Sequence, residues 1–350
     1  MSSSTLRFGV PPARGLTSAL VLAAAALAQP APVVAADLPV VRFQDYPGSG
    51  NLMIRVARSK GWCQEAGIVC ELKTIPAAPL GVQALIGGSI DVSETPIDVV
   101  AAAVLRGAKI KTVVGAAVSN FFQVDASAKL PTPHLAEGYP AMMRDFKGRK
   151  IGVVARGSAT EALFTYLLKE AGMSAGDVIY VAVGAPNTAF AALRAGQVDA
   201  AVTWEPAGIM CELSNACRVA YRTNDATKPE LLKQMYGANT GLVMREEQIE
   251  AHPEIAQAVV KLSQKASAFI NDRANLDEVL RISDEYFKFD MPQGDKIARH
   301  TLEQGLESGT FKTMVRRGAV QATLKYLAET KQLPSLPTVD QLVWSGAPNE

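Results

Sequence analysis

The sequence predicts an α/β protein of two similar lobes, and three observations carry that expectation. The phrase Ala-Leu-x-x-Gly-x-Ile/Val-Asp occurs at residues 84–91 and again at 192–199, 108 residues later. Each copy reads as a helix end, a glycine stop and a short buried strand. Each is followed by a polar stretch closing on proline, Ser93-Glu94-Thr95-Pro96 and Thr203-Trp204-Glu205-Pro206. Strand and helix patterns also alternate along most of the chain, which predicts a mainly parallel sheet. Two lobes that repeat one element leave a cleft between them, and a cleft points to binding before catalysis.

The elements follow in order. Residues 40–46 alternate as a strand and run into the loop Pro47-Gly48-Ser49-Gly50. Residues 51–60 have helical spacing, 68–75 read as a strand, 79–86 as a short helix, 90–93 as a strand, 97–105 as a helix and 109–118 as a strand. The second unit repeats the order, with strands at 150–155, 178–183 and 198–203 and helices at 161–171 and 187–195. From 252 to about 327 the pattern is a succession of helices, which should pack onto an existing sheet. A linker rich in proline spans 129–140. Residues 122–127 and 241–245 are the natural crossings between lobes, so lobe 1 is expected at 37–122 plus 241–350 and lobe 2 at 123–240.

The chain of 350 residues suits two domains, and a net charge of +1 with no basic block argues against nucleic acid. Residues 1–36 read as a cleavable export signal: Arg7 and Arg14, an apolar run too short to span a bilayer comfortably, then small residues before Asp37. A second cleavage site after Ala28, or an uncleaved anchor, remains open. The four cysteines form local pairs, Cys63 with Cys70 and Cys211 with Cys217, which favours disulfides in an oxidising compartment. Free buried thiols are the alternative. The three histidines are scattered, so no metal site is expected.

Ligands of open α/β sheets collect at the carboxyl ends of strands beside helix starts. The loop Arg156-Gly157-Ser158-Ala159-Thr160 is such a place. Its free N–H groups and Arg156 suit an anion, although an ordinary capped helix reads the same way. Ser49 in the loop 47–51 after the first strand, Thr95, and Asn187-Thr188 repeat the logic more weakly. Trp204 offers a flat apolar wall and Glu205 an acceptor for a ligand N–H, unless Trp204 is core and Glu205 a first-turn acid. Asp91 and Asp199 read as scaffold acids that bond local backbone. No Walker loop, Gly-x-Ser-x-Gly, His-Glu-x-x-His or Cys-His neighbour pair is present, so no enzymatic activity is expected.

Residues 84–91, Asp145-Phe146-Lys147-Gly148-Arg149-Lys150-Ile151-Gly152-Val153, Gly157-Ser158, 192–201 and Trp204-Glu205-Pro206 together resemble the substrate-binding proteins of ABC importers. The branch is the one that binds taurine, alkanesulfonates, nitrate or thiamine-pyrimidine precursors. The resemblance implies a type II periplasmic binding protein fold with a two-strand hinge. It further implies a periplasmic monomer without cofactor, which closes on a small anionic or zwitterionic solute and docks on a permease with its ATPase. Gly157-Ser158 matches the family's anion-contacting helix start and Trp204-Glu205 its wall and amine-facing position. Tyr46 to Ser49 and Thr95 match loop positions of the first lobe. An aromatic heterocycle on Trp204 is the second ligand reading. A cofactor-consuming enzyme on the same fold is the rival class, and its clustered cysteines and catalytic histidine are missing here. The two cysteine pairs and the linker around His134 stand outside the family pattern.

Overall fold

The computed structural model describes residues 38–46, 51–184, 186–289, 293–330 and 332–349. The expected export segment 1–36 and Ser49 with its loop lie outside these residues. Ten strands run in chain order: β1 Val40–Asp45, β2 Val69–Thr74, β3 Ser93–Pro96, β4 Ile110–Ala117, β5 Gln123–Ser127, β6 Lys150–Val153, β7 Ile179–Ala182, β8 Ala200–Thr203, β9 Cys217–Arg222 and β10 Thr240–Arg245. They form a β1-β2 pair, a β3-β10-β4 sheet and a β7-β6-β8-β5-β9 sheet. The first two adjoin through a parallel bridge between Phe43 and Val92.

Strand pairing is mixed rather than mainly parallel. β1 with β2, and β6 with β7 and β8, are parallel, as strand–helix–strand units require. β5 lies antiparallel to β8 and β9, and β10 antiparallel to β3 and β4. These two strands follow the passages of the chain from one group of sheets to the other, so each runs against its neighbours.

The repeated aspartates explain why the two units look alike. The backbone N–H of Arg42, at the start of the first unit, donates to Asp91 Oδ2 at 2.9 Å, and that of Asp91 donates to the Arg42 carbonyl at 2.8 Å. The second unit has the same pair, Lys150 N–H to Asp199 Oδ2 at 2.8 Å and Asp199 N–H to the Lys150 carbonyl at 2.8 Å. Both span 49 residues. The aspartates therefore bond backbone, as expected, but that of the unit's first strand rather than their own turn.

Helix Leu52–Ser59 presents Leu52, Ile54 and Val56 to the core beneath β1 and β4, and helix Pro253–Asn271 packs Val259 and Leu262 into the same core. Of the later helices, Pro253–Asn271 packs on β4, as expected of a segment covering a sheet, whereas Leu276–Tyr286 packs on helix Leu52–Ser59, Gly294–Glu307 on helix Ala207–Ser214 and Arg317–Glu329 on helix Ile97–Leu105. Helix Arg317–Glu329 reaches helix Ala159–Glu170, where Tyr326 meets Tyr166 edge-on at 4.8 Å.

Cys63 is bonded to Cys70 and Cys211 to Cys217. The first bond ties helix Trp62–Glu65 to β2, and the second ties helix Ala207–Ser214 to β9. Each closes a short loop, so replacing both cysteines of either pair by serine is expected to lower stability by about 2–3 kcal/mol. Urea denaturation of the two double variants checks this, and an unchanged midpoint would show that the unfolded chain gains nothing from the bond.

Candidate functional site

One cleft gathers side chains from both groups of sheets. Tyr46 and Glu94 come from the first group, and Thr240 and Leu242 from β10. Ser158, Thr160, Trp204, Glu205 and Arg222 come from the second. The passages between the groups contribute Phe121 and Phe122.

Helix Ala159–Glu170 starts at this cleft. Ser158 has extended backbone, as a cap position requires, yet its side chain makes no capping bond. Its hydroxyl instead meets Thr160 Oγ1 at 2.8 Å and accepts the Ala155 N–H at 3.4 Å. Thr160 Oγ1 in turn accepts the Val154 N–H at 3.0 Å. The first-turn N–H groups of a helix have no partner within it. A polar start of this kind, lined by two buried hydroxyls, can hold an acceptor group of a ligand.

Arg156 and Gly157 turn elsewhere. The Arg156 guanidinium pairs with Glu161 at 2.9 Å and lies over the Tyr180 ring, and its side chain is largely exposed. Gly157, at φ +75°, donates its N–H to Glu161 Oε2 at 2.9 Å. The carboxylate of Glu161 thus takes the two donors, the Arg156 guanidinium and the Gly157 N–H, that the sequence offered to an external anion.

Trp204 stands edge-on to Phe121 and Phe122, each at 6.0 Å, so three rings build one wall. Glu205 beside it is engaged: Oε1 accepts from Arg222 at 3.1 Å and Oε2 from the Ile209 N–H at 3.0 Å. A Cβ at Gly208 would lie 2.4 Å from Gln123 Nε2 and 2.5 Å from Glu205 Oε1, so a larger residue there would push both side-chain ends aside. Arg222 also reaches Glu212 at 3.4 Å, so its charge is met on two sides.

Thr95 does not line the cleft. It lies in β3 opposite Gly241, fully buried, with its hydroxyl 2.7 Å from Ser93 Oγ. Strand alternation turns its neighbours Glu94 and Pro96 to the cleft instead. Asn187 and Thr188, at the start of helix Pro186–Ala195, are also away from it. Tyr46, Ser158, Thr160, Trp204 and Glu205 are thus brought together from the sequence set, while Thr95, Arg156, Gly157, Asn187 and Thr188 are not.

Glu94 is the chief residue that sequence reasoning passed over. Burial, with the nearby Asp45 carboxylate, pushes its carboxyl up to about 7 against the pull of Arg55 and the Asn51 N–H. Among the described residues its Oε2 has no hydrogen-bond partner. The signal was its position in the same Ser93–Pro96 stretch, where alternation assigns the cleft-facing side. Phe121, Phe122, Gln123 and Arg222 left no signal, because they meet the cleft only through the pairing of β5, β8 and β9. Among the described residues, no group of three or more metal-ligating side chains is found and no helix is long and apolar enough to cross a membrane.

A cleft walled by two groups of sheets, with a helix start opening into it, defines a binding-protein architecture, and the comparisons agree. A Bordetella bronchiseptica RB50 protein of known structure matches with a TM-score of 0.73 and 22% identity, over 87% of this chain and 94% of that one. The periplasmic aliphatic sulphonate binding protein of Escherichia coli matches with a TM-score of 0.63 and 19% identity, over 88% of this chain and 98% of its own. The fold is that of periplasmic binding proteins. The NMT1-like family model matches residues 48–283, and the chain belongs to that family. A Brucella abortus (strain 2308) protein, provisionally named a binding protein, is 25% identical over 285 residues, 80% of this chain and 81% of its own length.

Proposed function

We propose that this protein is the periplasmic solute-binding component of an ABC importer. Residues 1–36 act as its export signal. Residues 37–122 with 241–350 form one lobe and 123–240 the other. A small anionic or zwitterionic organic solute, such as a sulfonate or taurine, enters the cleft and bridges the lobes. Its differential affinity for the closed form shifts the population to that form. The closed monomer then docks on a permease driven by its ATPase. No cofactor and no turnover enter this scheme. The observation that carries it is the start of helix Ala159–Glu170, with Ser158 and Thr160 lining a cleft that side chains from both sheet groups share. The sulphonate-binding protein of like fold supports the same ligand class.

The aromatic heterocycle remains a second reading, because Phe121, Phe122 and Trp204 offer a planar ligand a continuous wall. A thermal-shift screen of sulfonates, taurine, nitrate, aromatic acids and pyrimidines separates the two. A true ligand at about 100 times its Kd adds roughly 2.7 kcal/mol of stability, which a melting curve resolves. Ser158→Ala is expected to weaken a sulfonate about tenfold, since a hydrogen bond to a charged group is worth roughly 1.5–3 kcal/mol. Turnover of a solute in place of stabilisation, or affinity indifferent to Ser158, would overturn the reading.

A further inference from the structure

We infer that Glu94 selects the ligand by taking an N–H or ammonium group, so that the solute carries an amine as well as the acceptor held at the start of helix Ala159–Glu170. This rests on the solute-binding reading above. Glu94 is 7% exposed and lines the cleft, and its Oε2 is buried with no hydrogen-bond partner among the described residues. A buried acceptor left unpaired is costly, and an incoming N–H relieves it. The nearby Asn51 backbone N–H favours the charged carboxylate from the protein side.

The charges around the cleft point the same way. Among the described residues, Glu94, Glu205, Asp225 and Arg222 are its charged lining residues. Arg222 is met by Glu205 and Glu212, both Glu205 oxygens are engaged, and Asp225 is exposed to solvent. Arg55, the cation behind Glu94, bonds both oxygens of Asp45 and the Tyr46 carbonyl. Glu94 is therefore the buried carboxyl with an oxygen left for a ligand. The amine-facing role that the family pattern places on Glu205 passes to it.

The groups facing Glu94 are Asp45, Arg55 and the Tyr46 hydroxyl, which burial keeps neutral by pushing its pKa well above the usual value. Burial and Asp45 bring Glu94 up to about 7, so its ionised fraction changes across neutral pH. An amine binds the ionised form, so its affinity rises with pH and levels off above about 7.

Matched probes test this by calorimetric titration of the protein: taurine against isethionate, which replaces the ammonium by a hydroxyl, and 4-aminopyrimidine against 4-methoxypyrimidine. The amine member of the pair that binds is expected to win by about tenfold or more, with the preference falling below neutral pH. Glu94→Gln is expected to abolish both the preference and its pH dependence. Ser158→Ala is expected to weaken taurine and isethionate alike and to leave the preference intact. Binding without an amine preference, or a preference that survives Glu94→Gln, overturns the role of Glu94 and leaves the solute-binding reading standing. Binding of no probe in either pair overturns the ligand class, and the broader screen then decides whether the reading falls with it.

Discussion

Arg55→Leu is expected to lower the stability of this protein by about 3–5 kcal/mol, because it strands a buried carboxylate. Arg55 lies on the inner face of helix Leu52–Ser59 and is 1% exposed. Its Nε meets Asp45 Oδ1 at 2.9 Å and its Nη2 meets Asp45 Oδ2 at 3.0 Å, a two-pronged pair. The same Nη2 donates to the Tyr46 carbonyl at 2.6 Å. Burial already pushes the Asp45 carboxyl up, and the Arg55 bonds pull against that rise. Without the guanidinium, Asp45 must either stay ionised in an apolar setting or fold protonated. The Tyr46 carbonyl loses a donor in either case. Replacing both partners by apolar groups removes the stranded charge, so Asp45→Leu combined with Arg55→Leu is expected to cost much less than the single variant. Guanidinium denaturation of the two variants beside wild type measures this. A double variant as unstable as Arg55→Leu alone would show that packing, not charge, sets the loss.

The parts of this structure legible in the sequence are those fixed by short-range pattern. The repeat at residues 84–91 and 192–199 marked two units of one design. The helix expected at 97–105 is the observed Ile97–Leu105, since its apolar residues and the Gly107 stop are local signals. β9 went unread. It is an edge strand whose residues are mostly half-buried, so its alternation is weak. β3 was placed at 90–93 and runs instead from Ser93 to Pro96, because pairing with β10, some 150 residues away, decides where it is straight. That shift moved the cleft-facing side chain from Thr95 to Glu94. Arg156 could not be settled from sequence for a related reason. Its partner Glu161 is near in sequence, but whether a loop arginine turns to its own helix or to a ligand depends on the orientation of the loop against the cleft. Trp204 and Ser158 were legible because a strand end and a helix start have defined places in an open α/β sheet.

Asp125→Asn is expected to stabilise the protein by roughly 3–5 kcal/mol at pH 8 and by almost nothing at pH 4. Asp125 lies in β5, is 0% exposed, and accepts from Gln123 Nε2 at 3.0 and 3.2 Å. Burial, opposed by that bond and by Arg222 and reinforced by Glu205 and Glu212, pushes its carboxyl up to about 8. In the unfolded chain it titrates near the ordinary value of about 3.9. Below that value both states hold the proton and the contribution to stability is complete. Between about 4 and 8 the unfolded chain has released the proton while the folded protein keeps it, so stability falls with each pH unit. Above about 8 both states are ionised and the loss is complete. Asparagine has the same shape and no charge to bury, so it removes this slope. Glu94, pushed up to about 7, adds a smaller slope of the same sign that Asp125→Asn leaves in place. Urea denaturation from pH 4 to pH 8 reads the difference directly. Parallel stability curves for variant and wild type would show that Asp125 folds ionised. The acid earns its place through Gln123, whose side chain it holds at the cleft wall beside Glu205 and Gly208. A stabilised Asp125→Asn variant that binds its solute less tightly is therefore the expected combination, a trade of stability for a fixed wall.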